Sequence, residues 1–196
     1  MTIFLTHLET AFRNVEKKYF SNWAFNEYPN DSPEDERKLY VQFIERVFAY
    51  ELYHQFRKIM DSFPQLYENL VLNGEVRKNG FNESIICKNH IYPDLVLHRN
   101  QTTKSKDSQK LFIEIKSKSF SNEQLENDFK KLITAVSEKL NFEYAVFISI
   151  NLNPKDVLNE LQKLIIKIHI SPSDLQKIWF LSDEGLINLN EYILKS

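Results

Sequence analysis

Apolar residues recur at intervals of three or four positions in the first third of the chain. In residues 2–20 this spacing predicts an amphipathic helix. A longer helix is predicted from Pro33 to about Met60, because Ser32 is a favourable N-cap and proline suits the first helical position. The apolar stripe of the longer helix consists of Ile44, Val47, Phe48, Leu52, Phe56 and Ile59.

From residue 70 the pattern becomes typical of short strands that alternate with helices. One strand is predicted to begin at residue 70, and further strands are predicted over 84–88, 92–98, 111–116, 144–150 and 178–182. Helices are predicted over 121–139 and about 153–168. Because 144–150 is almost entirely apolar, we expect this strand to be covered on both faces.

The order of these elements predicts the fold class. Helices come first, then a group of strands, and then helix, strand, helix and strand. Neither an internal repeat nor a domain boundary is evident over residues 1–196. We therefore expect a single α/β domain with a central mixed sheet and helices on both faces.

Composition excludes several classes of function. The three glycines are too far apart to form a glycine-rich phosphate loop, and the single cysteine rules out a disulfide framework or a cysteine-based zinc site. No apolar run approaches the roughly 20 residues of a membrane-spanning helix. The first residues lack the basic region of a signal peptide, so we expect no membrane association and a cytoplasmic location.

Two acidic residues lie on predicted strands where apolar residues would be expected. Strand side chains alternate, so Glu114 and Lys116 share one face of their strand, while Asp94 lies on the preceding strand. If the two strands form a hairpin, the two acids lie side by side, which is unfavourable unless a cation offsets their charge. Mg²⁺ prefers oxygen ligands of this kind, and the compact charge of Lys116 suits a role beside it.

A third acid, Glu51, lies on the apolar stripe of the long helix, four residues after Val47 and three after Phe48. If this helix packs on the sheet, it can direct Glu51 towards the same metal, directly or through water. Two alternatives remain open. Glu51 can instead lie at the rim of the core with a tyrosine as its partner, and Glu45 is a rival helical acid.

These residues resemble the signature of the PD-(D/E)xK nuclease superfamily. Pro93-Asp94 is followed, after nineteen residues, by Glu114-Ile115-Lys116, and Glu51 resembles the acid that this superfamily often carries on its first core helix. The resemblance covers about residues 40–150. It implies a restriction-endonuclease-like, three-layer αβα fold, with an N-terminal helical extension and a C-terminal α/β extension around this core.

The resemblance also implies an activity, the metal-dependent hydrolysis of phosphodiester bonds by an endonuclease. The cofactor would be Mg²⁺, for which Mn²⁺ can substitute. Lys116 would take the place of the catalytic lysine. The ligands that the resemblance implies for the metal are Asp94, Glu114, Glu51 and the backbone carbonyl of Ile115.

The implied substrate is DNA, and the implied protein partner is a second copy of the chain or a protein that supplies specificity. A role in restriction or defence against foreign DNA follows by resemblance only. Many exonuclease-like members carry a Gln-x-x-x-Tyr motif on the helix after the lysine. Here Asp128, not tyrosine, stands four residues after Gln124, which disfavours an exonuclease of that branch.

The net charge is −2, so any contact with nucleic acid must use a local basic surface. Four basic residues lie between or just after the two acidic strands, and in a hairpin their loop would flank the acids and contact phosphates. The alternative is a flexible hairpin tip. These candidates are Arg99, Lys104, Lys106 and Lys118.

Simpler interpretations also account for parts of the pattern. Glu114 and Lys116 can belong to a solvated strand face with a cross-strand salt bridge. His90 and His98 can join a metal site or merely flank the strands. The same fold can also serve as a non-catalytic module that binds nucleic acid or a partner protein and keeps the acids as remnants.

Overall fold

The computed structural model describes residues 2–20, 34–74, 93–99, 108–117 and 121–195, with the backbone alone described over 34–43. The helices are α1 (Ile3–Arg13), a 3₁₀ helix (Lys17–Tyr19), α2 (Glu34–Ser62), α3 (Asn122–Val136), α4 (Pro154–Ile168), α5 (Pro172–Leu175) and α6 (Leu189–Lys195). The strands are β1 (Leu70–Gly74), β2 (Leu95–Arg99), β3 (Gln109–Ser117), β4 (Tyr144–Ile150), β5 (Ile178–Ser182) and β6 (Gly185–Asn188).

The described strands form one six-stranded sheet in the order β1-β2-β3-β4-β5-β6. The pairs β3–β4 and β4–β5 are parallel, and the other neighbouring pairs are antiparallel. This mixed sheet confirms the predicted α/β class. It is compatible with three αβα layers, while the specific restriction-endonuclease-like fold stays a prediction.

Each face of the sheet is covered by its own helices. Helices α1 and α2 pack on one face, against side chains such as Ile113 and Ile148. Helices α3 and α4 pack on the other face, against side chains such as Phe112 and Phe147. From Ala145 to Ile150 every side chain of β4 is buried, so the prediction that this strand is covered on both faces is confirmed.

The ends of the helices follow from local sequence. At the start of α3, the side chain of Ser121 accepts from the N–H of Gln124, and the Gln124 side chain accepts from the N–H of Ser121. Helix α1 ends at Arg13 rather than near residue 20, because Glu16 is extended and a 3₁₀ helix follows it. The short β6 and α6 are not predicted by the sequence pattern, and the strand predicted at 84–88 lies outside the described residues.

Candidate functional site

The structure brings Asp94 and Glu114 together on neighbouring strands. Leu95, the first residue of β2, pairs with Ile113 of β3, and the N–H of Asp94 donates to the carbonyl of Ile113 at 3.1 Å. Continuing this antiparallel register by one position places Asp94 opposite Glu114, and opposite residues project from the same face. That face also carries Val96, and it is the face on which α3 and α4 pack.

Strand β3 continues past the point where β2 begins. Alternate residues of a strand direct their backbone groups towards the same neighbour. The amides of Ile115 and Ser117 therefore face the side of β3 that β2 covers only up to Ile113. Carboxylates accept from both amides. Oδ2 of Asp94 lies 2.6 Å from N of Ile115, and Oε1 of Glu45 lies 2.8 Å from N of Ser117.

Glu45, not Glu51, is the helical acid that reaches β3. Six residues of an α-helix rotate through 600°, so the two side chains leave α2 in directions about 120° apart. Glu51 accepts a hydrogen bond from Gln55 at 2.6 Å. Its charge also contributes, after the larger effect of Glu16, to raising the pKa of Lys18. The structure therefore does not bring Glu51 to Asp94 and Glu114.

The difference arises from which residues of α2 face the sheet. The row of fully buried residues recurs every four positions, and Val47 is only half-buried. Glu45 lies three residues before Phe48 and Glu51 three residues after it, so the two acids flank this row on opposite sides. Val47 lies on the Glu51 side, so a stripe that includes it favours Glu51, whereas the contact with Ser117 places the end of β3 on the Glu45 side. The buried row is Ile44, Phe48, Leu52 and Phe56.

Glu114 is the most enclosed of these acids, with 3% of its surface exposed. Its Oε2 atom lies 3.0 Å from Nζ of Lys131, while its Oε1 atom is buried and has no hydrogen-bond partner within the described part of the chain. Burial raises the pKa of Glu114 well above its ordinary value, and the charge of Asp94 raises it further. The interpretation of Glu114 as part of a solvated strand face is therefore wrong.

Two residues of α3, Asp128 and Lys131, complete the site, and neither is among the site residues predicted from the sequence. Asp128 is 6% exposed and pairs with two lysines. Its Oδ2 atom lies 2.8 Å from Nζ of Lys116, and its Oδ1 atom lies 2.8 Å from Nζ of Lys131. We call the resulting group the acid–lysine cluster, and it consists of Glu45, Asp94, Glu114, Lys116, Asp128 and Lys131.

A signal for Asp128 was present in the sequence. It lies three residues after Leu125 and four before Leu132, so helical spacing places this acid beside apolar residues on α3. That is the same kind of misplaced acid that drew attention to Glu51. Lys131 carries no such signal, because a lysine three residues after an acid is usual on an exposed helix face.

The electrostatics of the acid–lysine cluster favour a further positive charge. Four carboxylates and two lysines give a formal charge of −2. Burial raises the pKa values of Asp94 and Glu45. Burial alone would lower the pKa of Lys116, but the charge and hydrogen bond of Asp128 outweigh it and the pKa is raised, so Lys116 is protonated at neutral pH.

The described residues contain no group of three or more His, Cys, Asp or Glu side chains placed to hold a metal ion. The implied site does not require three, because Mg²⁺ commonly binds through one or two carboxylates with waters and phosphate oxygens. Asp94 and Glu114 are the two carboxylates that such a site would use. The carbonyl of Ile115 faces the same open side as its N–H.

Arg99 lies at the other end of β2 from Asp94, roughly 16 Å away at about 3.3 Å per residue. The loop that begins there therefore leaves the hairpin at the end opposite the acids, and Arg99 does not flank them as expected. Its contact with nucleic acid stays a prediction. Lys104, Lys106 and Lys118 lie outside the described residues.

His98 lies on β2 four residues after Asp94, towards the end of the strand that is opposite the acids. It is buried on β2, and its Nε2 atom lies 2.9 Å from Nδ2 of Asn73 on β1. This contact places His98 in the packing between β1 and β2. His90 lies outside the described residues.

No protein-family model, curated protein or solved structure significantly matches the chain. The resemblance to PD-(D/E)xK nucleases therefore depends on the residues and geometry of this chain alone. Within the described ranges, no helix combines the length and apolar character needed to cross a membrane.

Proposed function

We propose that this protein is a Mg²⁺-dependent endonuclease that hydrolyses phosphodiester bonds in DNA, with the acid–lysine cluster as its active site. The observation that carries the proposal is the pairing of Asp94 and Glu114 at neighbouring strand ends, with a protonated Lys116 two residues beyond Glu114. Burying a group of charges costs folding free energy, and titratable groups with strongly shifted pKa values are concentrated at functional sites.

The donor set fits a hard divalent cation. The Oε1 atom of Glu114 is buried without a hydrogen-bond partner among the described residues, so it has a free position for a ligand. The cluster as a whole has a formal charge of −2. Asp94, Glu114 and the carbonyl of Ile115 would hold the ion. A bound Mg²⁺ would stabilise the negative charge that develops on the phosphate oxygens.

The residues of the chain have separate tasks in this reaction. The oxygen of a water attacks phosphorus as the water loses one proton to the solvent, the bond from phosphorus to the leaving ester oxygen breaks, and that oxygen takes one proton from the solvent. Lys116 is protonated, so it acts as a hydrogen-bond donor and positive charge beside the phosphate rather than as a base. Asp128 holds the ammonium group of Lys116 in place at 2.8 Å.

Cleavage of supercoiled plasmid DNA tests the proposal. The wild-type protein should nick the plasmid with Mg²⁺ or Mn²⁺ and not with EDTA. Asp94→Asn, Glu114→Gln and Lys116→Met should each reduce the rate by at least about 100-fold, because each removes a group that acts on the reacting phosphate. Glu126→Gln is the matched control, since this acid of α3 pairs with Lys130 and Lys167 at the surface.

Cleavage that persists in all three variants would overturn the proposed site. A wild-type protein that cleaves neither duplex DNA, single-stranded DNA nor RNA would overturn the proposed activity. The Glu126→Gln protein should cleave at the wild-type rate, which separates loss of a catalytic charge from loss of any charge on α3.

The second candidate function is a non-catalytic module that binds nucleic acid or a partner protein. It is favoured by one observation, that each acid of the cluster already has a protein partner: Ser117 for Glu45, Ile115 for Asp94, and lysines for Glu114 and Asp128. Binding without cleavage, unaffected by Mg²⁺, would support this alternative.

A further inference from the structure

A cavity of about 400 Å³ lies between α2 and the ends of β1 and β2. Glu45 and Asp94 form part of its wall, so it adjoins the acid–lysine cluster directly. Its volume falls within the ~300–1,000 Å³ range of small-molecule sites. The cavity is therefore a candidate binding site beside the proposed catalytic groups.

Two tyrosines give the cavity its chemical character. Tyr50 and Tyr53 are three residues apart on α2, so their rings are neighbours on the helix surface, and both line the cavity. Tyr50 is 62% exposed, which is high for a large aromatic side chain, whereas Phe56 further along α2 is fully buried. The ring of Tyr50 is therefore available to a ligand, whereas Tyr53 is half-buried, packs against the core and lines the cavity with its remaining surface.

The remaining wall combines apolar surface with polar groups. Ala49 and Leu95 contribute apolar surface, and Gly74 leaves the β1 side without a side chain. The carboxylates of Glu45 and Asp94 can accept hydrogen bonds from amino groups, and Arg46 and Asn73, which also line the cavity, add further polar groups to its wall. A nucleobase combines a flat aromatic face with amino and imino donors at its edge.

We propose that this cavity binds one unstacked nucleobase of a nucleic-acid strand, which stacks on Tyr50 while the adjacent phosphate lies at the acid–lysine cluster. The inference rests on the proposed function for its choice of ligand. It adds a base-binding site to the phosphodiesterase centre, and it favours single-stranded or locally opened substrates, because a base within a duplex cannot enter the cavity.

Fluorescence of a short single-stranded oligonucleotide that contains 2-aminopurine tests the site without turnover. The titrations use the Glu114→Gln protein with Mg²⁺, so binding is measured whether or not the protein is a nuclease. Stacking on an aromatic ring should quench the probe. In this Glu114→Gln background, a second substitution, Tyr50→Ala, should weaken binding about tenfold, as expected for the loss of one base–aromatic stack. Tyr50→Phe in the same background should bind as tightly as the parent.

Two further measurements separate stacking from general effects. Ala49→Leu fills the cavity without changing a charge and should weaken binding as Tyr50→Ala does. Leu194→Ala is the control, because this side chain is 78% exposed on α6 and should leave binding unchanged. An abasic oligonucleotide should lose the same affinity as Tyr50→Ala, and the two losses should not add, since they remove the same contact.

The inference is overturned if the oligonucleotide does not bind, if the probe is not quenched, or if Tyr50→Ala and Ala49→Leu both bind as tightly as the parent. Plasmid cleavage by the wild-type protein then decides the nuclease proposal separately. Base binding without cleavage would support the base-binding cavity and overturn the nuclease proposal. Cleavage without base binding would support the nuclease proposal and overturn the base-binding cavity.

Discussion

The carboxylate of Glu45 on α2 accepts a 2.8 Å hydrogen bond from the backbone N–H of Ser117, the last residue of β3. This contact joins the long N-terminal helix to the strand that carries Glu114 and Lys116. Because Lys116 lowers the pKa of Glu45 and Asp94 raises it, the Glu45 charge belongs to the same electrostatic group.

Glu45→Gln and Glu51→Gln form a matched pair for testing this arrangement. We expect Glu45→Gln to reduce DNA cleavage or Mg²⁺ affinity by about 10- to 100-fold, as for groups that support metal ligands, because it removes one charge beside Asp94 and Lys116. Glu51→Gln should have no effect, since Glu51 contacts Gln55 instead. Initial cleavage rates at several Mg²⁺ concentrations measure both. Equal losses in the two variants would contradict the assignment of Glu45.

Asp128→Asn should disturb Lys116 without touching the substrate. The substitution removes the charge that raises the pKa of Lys116, while burial continues to lower it. The alkaline limit of cleavage should therefore move to lower pH, and the rate at neutral pH should fall about tenfold. Rates over a pH series check this, with Glu126→Gln as the control. An unchanged pH profile would show that Asp128 does not position Lys116.

Glu114→Gln should change how stability depends on pH. The pKa of Glu114 in the folded protein lies well above its ordinary value of 4.5, so between these values the folded state binds more protons than the unfolded state. Stability of the wild type is therefore lost as pH rises through this window, by up to about 1.4 kcal/mol per pH unit from this residue. The glutamine variant lacks this loss.

Urea unfolding at several pH values without divalent cations measures the effect. The free energy of unfolding of Glu114→Gln should increase relative to that of the wild type as the pH rises from about 4.5. His7, whose pKa burial lowers, acts in the opposite direction but is common to both proteins. A difference that does not vary with pH would mean that Glu114 titrates normally.

Phe147→Ala tests the packing of the sheet. Phe147 is fully buried on the central strand β4 and stacks on Phe180 with ring centroids 6.4 Å apart. Truncation should lower the free energy of unfolding by about 3–5 kcal/mol, because it leaves a cavity in the layer beneath α3 and α4. Ile166→Ala, at a position 66% exposed, should change it by less than about 0.5 kcal/mol. Urea unfolding compares the two variants.

Much of the fold was predictable because its elements have strong local patterns. The run 144–150 was predicted as a strand with the bounds that β4 has, and α4 begins at Pro154 as its N-cap and proline indicate. Strand β6 was not predicted, because its few residues carry no clear alternation. Its place at the edge of the sheet depends on pairing with β5.

The site was predictable only where strand geometry determines it. Alternation along β3 and the hairpin with β2 are enough to place Asp94 beside Glu114. The choice between Glu45 and Glu51 depends on how α2 is rotated against the sheet, which its own sequence does not determine. The position of Arg99 follows from the topology of the hairpin alone. The loop of a hairpin joins the end of its first strand to the start of its second, and Asp94 and Glu114 lie at the opposite ends of these two strands.

The unequal lengths of β2 and β3 have a consequence for engineering and for natural variation. The amides of Ile115 and Ser117 are accessible to carboxylates because β2 starts at Leu95. An insertion that extended β2 backwards by three or four residues would offer main-chain carbonyls to these amides instead. Asp94 and Glu45 would then lose the hydrogen bonds that hold their carboxylates. The sheet would become more regular, but it would no longer hold these two acids beside β3.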